Sequence, residues 1–278
     1  MPLTSTDEIV GPARANTSGV GAFNVVQLEH AEAIVAGAEL AQLPVVLQVS
    51  ENTVRYHGGL APIGLASLAV ARGADVPVAV HLDHAESLGL VREAVDLGFT
   101  SVMFDASKLP YEENVAATRE ITEHCHSAGV WVEAELGEVG GKDGAHAPGV
   151  RTDPDEARAF AAATAVDALA VAVGSSHAML TRDAVLDFEL IARLREAVPV
   201  PLVLHGSSGV SDTDLAKAVT AGMTKVNIST HLNKLFTRTV RERLEASPDV
   251  ADARRYLGPA RDAVASEVAR LLGVLAGV

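Results

Sequence analysis

Cysteine is almost absent from this 278-residue chain, and Cys125 alone can form neither an intrachain disulfide nor a Cys-rich zinc site. Any metal must be held by His, Asp and Glu. Basic residues are also scarce: 22 Lys and Arg against 36 Asp and Glu give a formal net charge of −14. That balance argues against nucleic acid or an anionic membrane surface as partner, since both reward clustered cations. A phosphorylated small molecule stays open where backbone donors, a few cations or a metal supply local positive potential. No run of ~18 uncharged apolar residues suggests a membrane span, and the opening "MPLTSTDEIVGPARANTSG" lacks a basic segment followed by an apolar one. The expectation is a soluble cytoplasmic protein. What is present is apolar residue in quantity, 48% of the chain, enough for one large core. A single domain over residues 1–278 follows, since α/β barrels often fill about 250 residues as one unit.

Short β-branched runs recur every 25 to 35 residues: "GAFNVV" (21–26), "VVLQV" (45–49), "VAVHL" (78–82), "SVMFD" (101–105), "WVEAEL" (131–136), "ALAVAV" (168–173), "PLVLH" (201–205) and "KVNIS" (225–229). Helical-period segments separate them, among them 28–41, 87–98, 111–129 and 214–222, ending at Gly or before Pro. Eight strand-helix units in an α/β chain predict a (β/α)8 TIM barrel with an extra C-terminal helix near 249–272, rather than an open sheet. The stretch "GEVGGKDGAHAPG" (137–149) is too polar and too long for a minimal connection and reads as a mobile active-site loop.

Barrel chemistry gathers at the C-terminal ends of the strands, and polar residues that a core rejects collect there. Asp83 and His84 follow strand three, Asp105 ends strand four, Glu135 is near the end of strand five, His177 follows strand six, His205 ends strand seven and Asn227 lies in strand eight. Singly, each reads as a cap or a strand-end histidine bonded to a carbonyl. Jointly, three imidazoles from three strands can converge on one Zn²⁺ with a fourth position open for substrate, with Asp83 beside it as acid/base. His124 and His126 flank Cys125 on a solvated helix face, and His81 shares a strand face with Asp83 and orients it. "HGSSG" (205–209) and "NIST" (227–230), after strands seven and eight, put small residues and hydroxyls where barrels bind phosphate.

With these motifs in view, "GAFNV", "LQVSEN", "HLDH", "VMFDAS", "LPYEEN", "VEAELGEVGG", "SSHAM", "LHGSSG" and "KVNIST", the chain resembles the class II, zinc-dependent ketose-bisphosphate aldolases. The resemblance implies that His84, His177 and His205 hold one catalytic zinc, with Asp105 and Glu135 serving a second or alternative cation, divalent or monovalent. It implies Asp83 as acid/base at the ketose C4 hydroxyl and Asn227 as partner of the enediolate. Gly206, Ser207, Ser208, Ser229 and Thr230 would hold the C1 phosphate, and Asn24, Gln48 and Ser50 would line the pocket. The family's loop base matches Asp143, one methylene shorter than the usual Glu. Arg254 in "DARRY" matches the arginine that reaches the other phosphate from a neighbouring subunit, and a homodimer or homotetramer is implied. Ala106 and Ala178 stand where Gly is common.

The expected activity is reversible aldol cleavage of a ketose 1,6-bisphosphate to dihydroxyacetone phosphate and glyceraldehyde 3-phosphate. The fructose ester is favoured on frequency alone, with the tagatose ester or a related sugar phosphate as the alternative. No strand places a Lys inward in its interior, which weighs against a Schiff-base mechanism. A non-catalytic barrel subunit would have no need of three rim histidines and Asp83. A zinc hydrolase would have no need of the paired phosphate segments.

Overall fold

The β-branched runs close into one parallel barrel in chain order: β1 (Val20–Asn24), β2 (Val45–Ser50), β3 (Val78–Ala85), β4 (Ser101–Phe104), β5 (Trp131–Leu136), β6 (Ala168–Val171), β7 (Leu202–Leu204) and β8 (Met223–Ile228), with β8 pairing back onto β1. The computed structural model describes residues 2–136, 151–177 and 179–278. The Gly-rich stretch 137–149 with Asp143, and Ala178, lie outside the described residues.

Helices sheathe the barrel: α1 (Thr6–Ala15), α2 (Leu28–Ala41), α3 (Glu51–His57), α4 (Leu60–Arg72), α5 (Leu88–Leu97), α6 (Tyr111–Ser127), α7 (Pro154–Thr164), α8 (Phe188–Ala197), α9 (Asp212–Ala221), α10 (Thr230–Ala246) and α11 (Arg254–Ala276). Several starts are written locally. Ser5, Asp153, Asp187 and Ser211 each accept a bond from an amide of the first turn they precede, and Pro154 opens α7 where its missing N–H is harmless. The extra C-terminal helix is α11, which starts at Arg254 rather than near 249. It packs on α2, where a Cβ on Gly37 would come within 2.5 Å of the Ala265 carbonyl oxygen, so only glycine permits this approach.

Inside the barrel, alternate residues stack in layers. At the N-terminal end, α1 forms a plug whose Ile9, Val10 and Ala13 pack with Val20, Val46, Ala79, Trp131 and Ala168. Above that apolar layer, Gln48, His81, Glu133 and Lys225 are fully buried. This corrects the expectation that no strand turns a lysine inward. β8 begins at Met223, two residues before Lys225, so Lys225 is an interior residue on the same face as Asn227. Asn24, Asp83, Glu135, His205 and Asn227 form the next layer up, at the strand ends.

Candidate metal centre and active site

Neighbours on a strand normally point to opposite faces, yet Asp83 and His84 both reach the site. β3 runs on through them to Ala85 instead of turning out after Leu82, and its pairing with β4 slips between Leu82 and Ala85. His84 takes a left-handed backbone, φ 51°, a conformation that is strained for a residue with a β-carbon and clusters at functional sites. The slip therefore brings a carboxylate and an imidazole, adjacent in sequence, to one rim.

There, ligand atoms of His84, Glu135, His177 and His205 lie within 4.8 Å of one another. The three imidazole centroids are 4.7, 5.2 and 5.7 Å apart. Two rings are held from behind. His84 donates from Nδ1 to Asp105 Oδ2 at 2.8 Å, and Ser107 in turn donates to Asp105. His205 donates from Nε2 to Glu133 Oε1 at 2.8 Å, so its buried Nδ1 faces Glu135 Oε2 at 3.2 Å. Carboxylates behind the rings fix which nitrogen faces the centre. Three imidazole nitrogens and one carboxylate oxygen, converging with this support, fit a borderline divalent cation such as zinc. Asp105 stands behind His84 rather than in the converging group. Burial disfavours a charged His205, but bonds to Glu133 and Glu135 outweigh it and raise its pKa to about 9.

Beside this centre Asp83 Oδ2 accepts from Asn24 Nδ2 at 2.8 Å, and Asn24 Oδ1 accepts from Gln48 Nε2 at 3.2 Å. Burial opposes ionisation of Asp83, yet His84, His205 and Lys225 hold its carboxyl below the usual carboxylate range. Its Oδ1 makes no hydrogen bond among the described residues, and Asp83 lines the cleft. His81 does not bond Asp83, contrary to the expectation from their shared face. Burial, with Lys225 nearby, lowers its pKa to about 3. Thr6 donates to Ser101 Oγ, which leaves the Ser101 hydroxyl to donate to His81 Nδ1 at 2.8 Å.

The cleft encloses about 980 Å³ including its mouth. One end of it is built from Gly206, Ser208, Ser229 and Thr230 at the N-terminus of α10, where Ser208 Oγ accepts from the amides of Ser229 and His231. Gly206 sits at φ +65°, and a Cβ there would meet the Ser176 backbone at 2.6 Å. Ser207 is buried and donates to the Asn227 carbonyl instead of facing the cleft. Ser50 lines the cleft and Gln48 lies beneath it. Arg254 does not line it: its side chain is 90% exposed and pairs with Asp252. Sequence reasoning missed Glu133 and Lys225 under the floor and Arg55 at the mouth. The signals were spacings: Glu133 precedes Glu135 by two and Lys225 precedes Asn227 by two, which puts each pair on one face.

A closed parallel barrel with a His/Glu group that could hold a metal ion, and a neighbouring carboxylate, at its C-terminal rim is the architecture of a barrel enzyme. The chain belongs to the class II fructose-bisphosphate aldolase family, whose model matches residues 4–277, and is thus a class II metal-dependent lyase. It is 41% identical over 272 residues to the fructose-bisphosphate aldolase of Geobacillus stearothermophilus, covering 96% of this chain and 95% of that one. It is 42% identical to a probable fructose-bisphosphate aldolase of Bacillus subtilis over the same shares. Among solved structures, the YdjI aldolase of Escherichia coli K12 superposes with a TM-score of 0.86 at 31% identity, over 98% of this chain and 97% of that one. Among the described residues no helix is long and apolar enough to cross a membrane.

Proposed function

We propose that this enzyme uses zinc to cleave fructose 1,6-bisphosphate reversibly to dihydroxyacetone phosphate and glyceraldehyde 3-phosphate. The observation that carries the reading is the convergence of His84, His177, His205 and Glu135 within 4.8 Å, next to Asp83. The three histidines are the metal ligands, Glu135 an alternative ligand for the same or a second cation, and Asp105 the group that orients His84. A bound divalent ion would supply Lewis-acid chemistry there, drawing electron density toward the ketose carbonyl oxygen so that the C3–C4 bond can break.

The chain's own groups do the rest. Asp83, ionised and held by Asn24, takes the proton of the C4 hydroxyl through Oδ1 during cleavage and returns one in condensation. Asn227 offers amide N–H groups to the developing oxyanion. Gly206, Ser208, Ser229 and Thr230 hold the C1 phosphate at the α10 N-terminus, where backbone donors and the helix dipole favour an anion, while Ser50 meets the far half of the sugar. Asp143 is the base for proton exchange on dihydroxyacetone phosphate. In a homodimer or homotetramer, Arg254 serves the far phosphate in a neighbouring subunit's cleft.

Cleavage rates for fructose and tagatose 1,6-bisphosphates, which differ at C4 beside Asp83, test the reading. Preference for the fructose ester supports it; preference for the tagatose ester, or cleavage of neither, overturns the substrate assignment.

A further inference from the structure

Lys225 has no part in the proposed chemistry, yet it sits fully buried beneath the site with all three ammonium protons committed. Its Nζ donates to Gln48 Oε1 at 2.6 Å, to Glu133 Oε2 at 2.9 Å and to Asn227 Oδ1 at 2.9 Å. Stability alone explains such a buried pair poorly, because desolvation of both charges offsets their attraction and well-packed neutral residues often serve as well. Three arms leave this one donor. Along the first, the carbonyl of Gln48 must face the ammonium, so its amide donates to Asn24 Oδ1 and the amide of Asn24 donates to Asp83 Oδ2. A donor-only group at one end and an acceptor-only carboxylate at the other leave neither amide free to flip. Along the second, the oxygen of Asn227 is turned to the ammonium, which leaves the N–H groups of this cleft-lining residue to meet a ligand. Along the third, Glu133 is held where its other oxygen accepts from His205 Nε2, which reserves Nδ1 for the centre.

We propose that Lys225 is the positioning residue of this site: one ammonium sets the donor and acceptor sense of Asp83's partner Asn24, of Asn227 and of His205. The inference rests on the roles given above to those three groups. It assigns no nucleophilic step to the lysine, whose protons are committed and which lies under the cleft rather than in its lining.

Three variants of the zinc-loaded protein test it: Lys225→Met, Lys225→Met with Glu133→Gln, and Lys225→Arg. The double variant removes both buried charges together, so it separates polarity from an unpaired carboxylate. Expected are a melting temperature near that of the unsubstituted protein, kcat lowered on the order of 100-fold, as for loss of an oriented oxyanion donor, and KM for the ketose bisphosphate changed far less. The Asn24 side-chain amide resonance, read by selective ¹⁵N-asparagine labelling, should move. A double variant with kcat within threefold of the unsubstituted protein, or an unmoved Asn24 resonance, overturns the proposal. If the Met variants do not fold, the unsubstituted protein labelled at lysine ¹⁵Nζ decides: a solvent-protected NH₃⁺ correlation is required, and its absence overturns the proposal. If the unsubstituted enzyme cleaves no ketose bisphosphate, the functional reading fails, while both resonance measurements still judge the role of Lys225.

Discussion

His84 donates through Nδ1 to Asp105 Oδ2 across 2.8 Å, so the nitrogen it turns toward His177 and His205 is Nε2. Asp105→Asn should weaken this support without removing a converging ligand. Zinc affinity, read by competition with a chromophoric chelator, should fall roughly 10- to 100-fold, the usual effect of losing a carboxylate behind a metal-bound imidazole. Unchanged affinity would show that the His84 ring is oriented by other contacts.

On the proposed function Asp83 moves a proton and does not hold the metal. Asp83→Asn keeps the shape and can still accept from Asn24, so zinc content should stay at the unsubstituted level while kcat falls about 10²- to 10⁴-fold. Loss of zinc in parallel with kcat would make Asp83 a ligand instead.

Protons compete with metal at His205. In metal-free protein its pKa is raised to about 9 by Glu133 and Glu135, against the opposing effect of burial, and a ligating nitrogen must be deprotonated. Apparent zinc affinity should therefore climb by about one decade per pH unit between pH 7 and 9 and level off above. The same raised value means that the charged pair stabilises the metal-free fold fully below the unfolded histidine value near 6.5. That stability is lost as pH rises through about 9. Chelator competition and melting curves across this range measure both effects, and a flat affinity profile would contradict the assignment of His205.

Gly206→Ala should damage binding more than folding. The added Cβ meets the Ser176 backbone at 2.6 Å on a φ of +65°, a strain of about 1–3 kcal/mol that the loop can relieve only by shifting the cradle. KM should rise for the phosphorylated substrate with a modest fall in melting temperature; an unchanged KM would remove Gly206 from the phosphate end.

Most of this was legible in the chain. The recurrence of β-branched runs marked eight strands, and the three rim histidines His84, His177 and His205 lie together with Glu135, one of the two carboxylates expected at a second or alternative position. Backbone irregularity was not legible: nothing in "HLDHAE" announces that β3 slips and that His84 turns left-handed. Tertiary partners were not legible either. Asp105 reads equally as a ligand or as a support for one, and only its distance to His84 Nδ1 separates the two. Lys225 escaped because a lysine at the edge of a short apolar run reads as solvated. Its burial depends on Glu133 and Gln48, 92 and 177 residues away in sequence.

The central claim is that the His/Glu centre holds a zinc ion required for aldol cleavage. The most direct measurement is cleavage of fructose 1,6-bisphosphate by protein stripped with chelator and titrated with Zn²⁺, beside His84→Ala treated identically. The unsubstituted protein should be inactive when stripped and recover fully at one Zn²⁺ per chain, with His84→Ala inactive throughout. Full turnover by stripped protein, or by His84→Ala, would contradict the account.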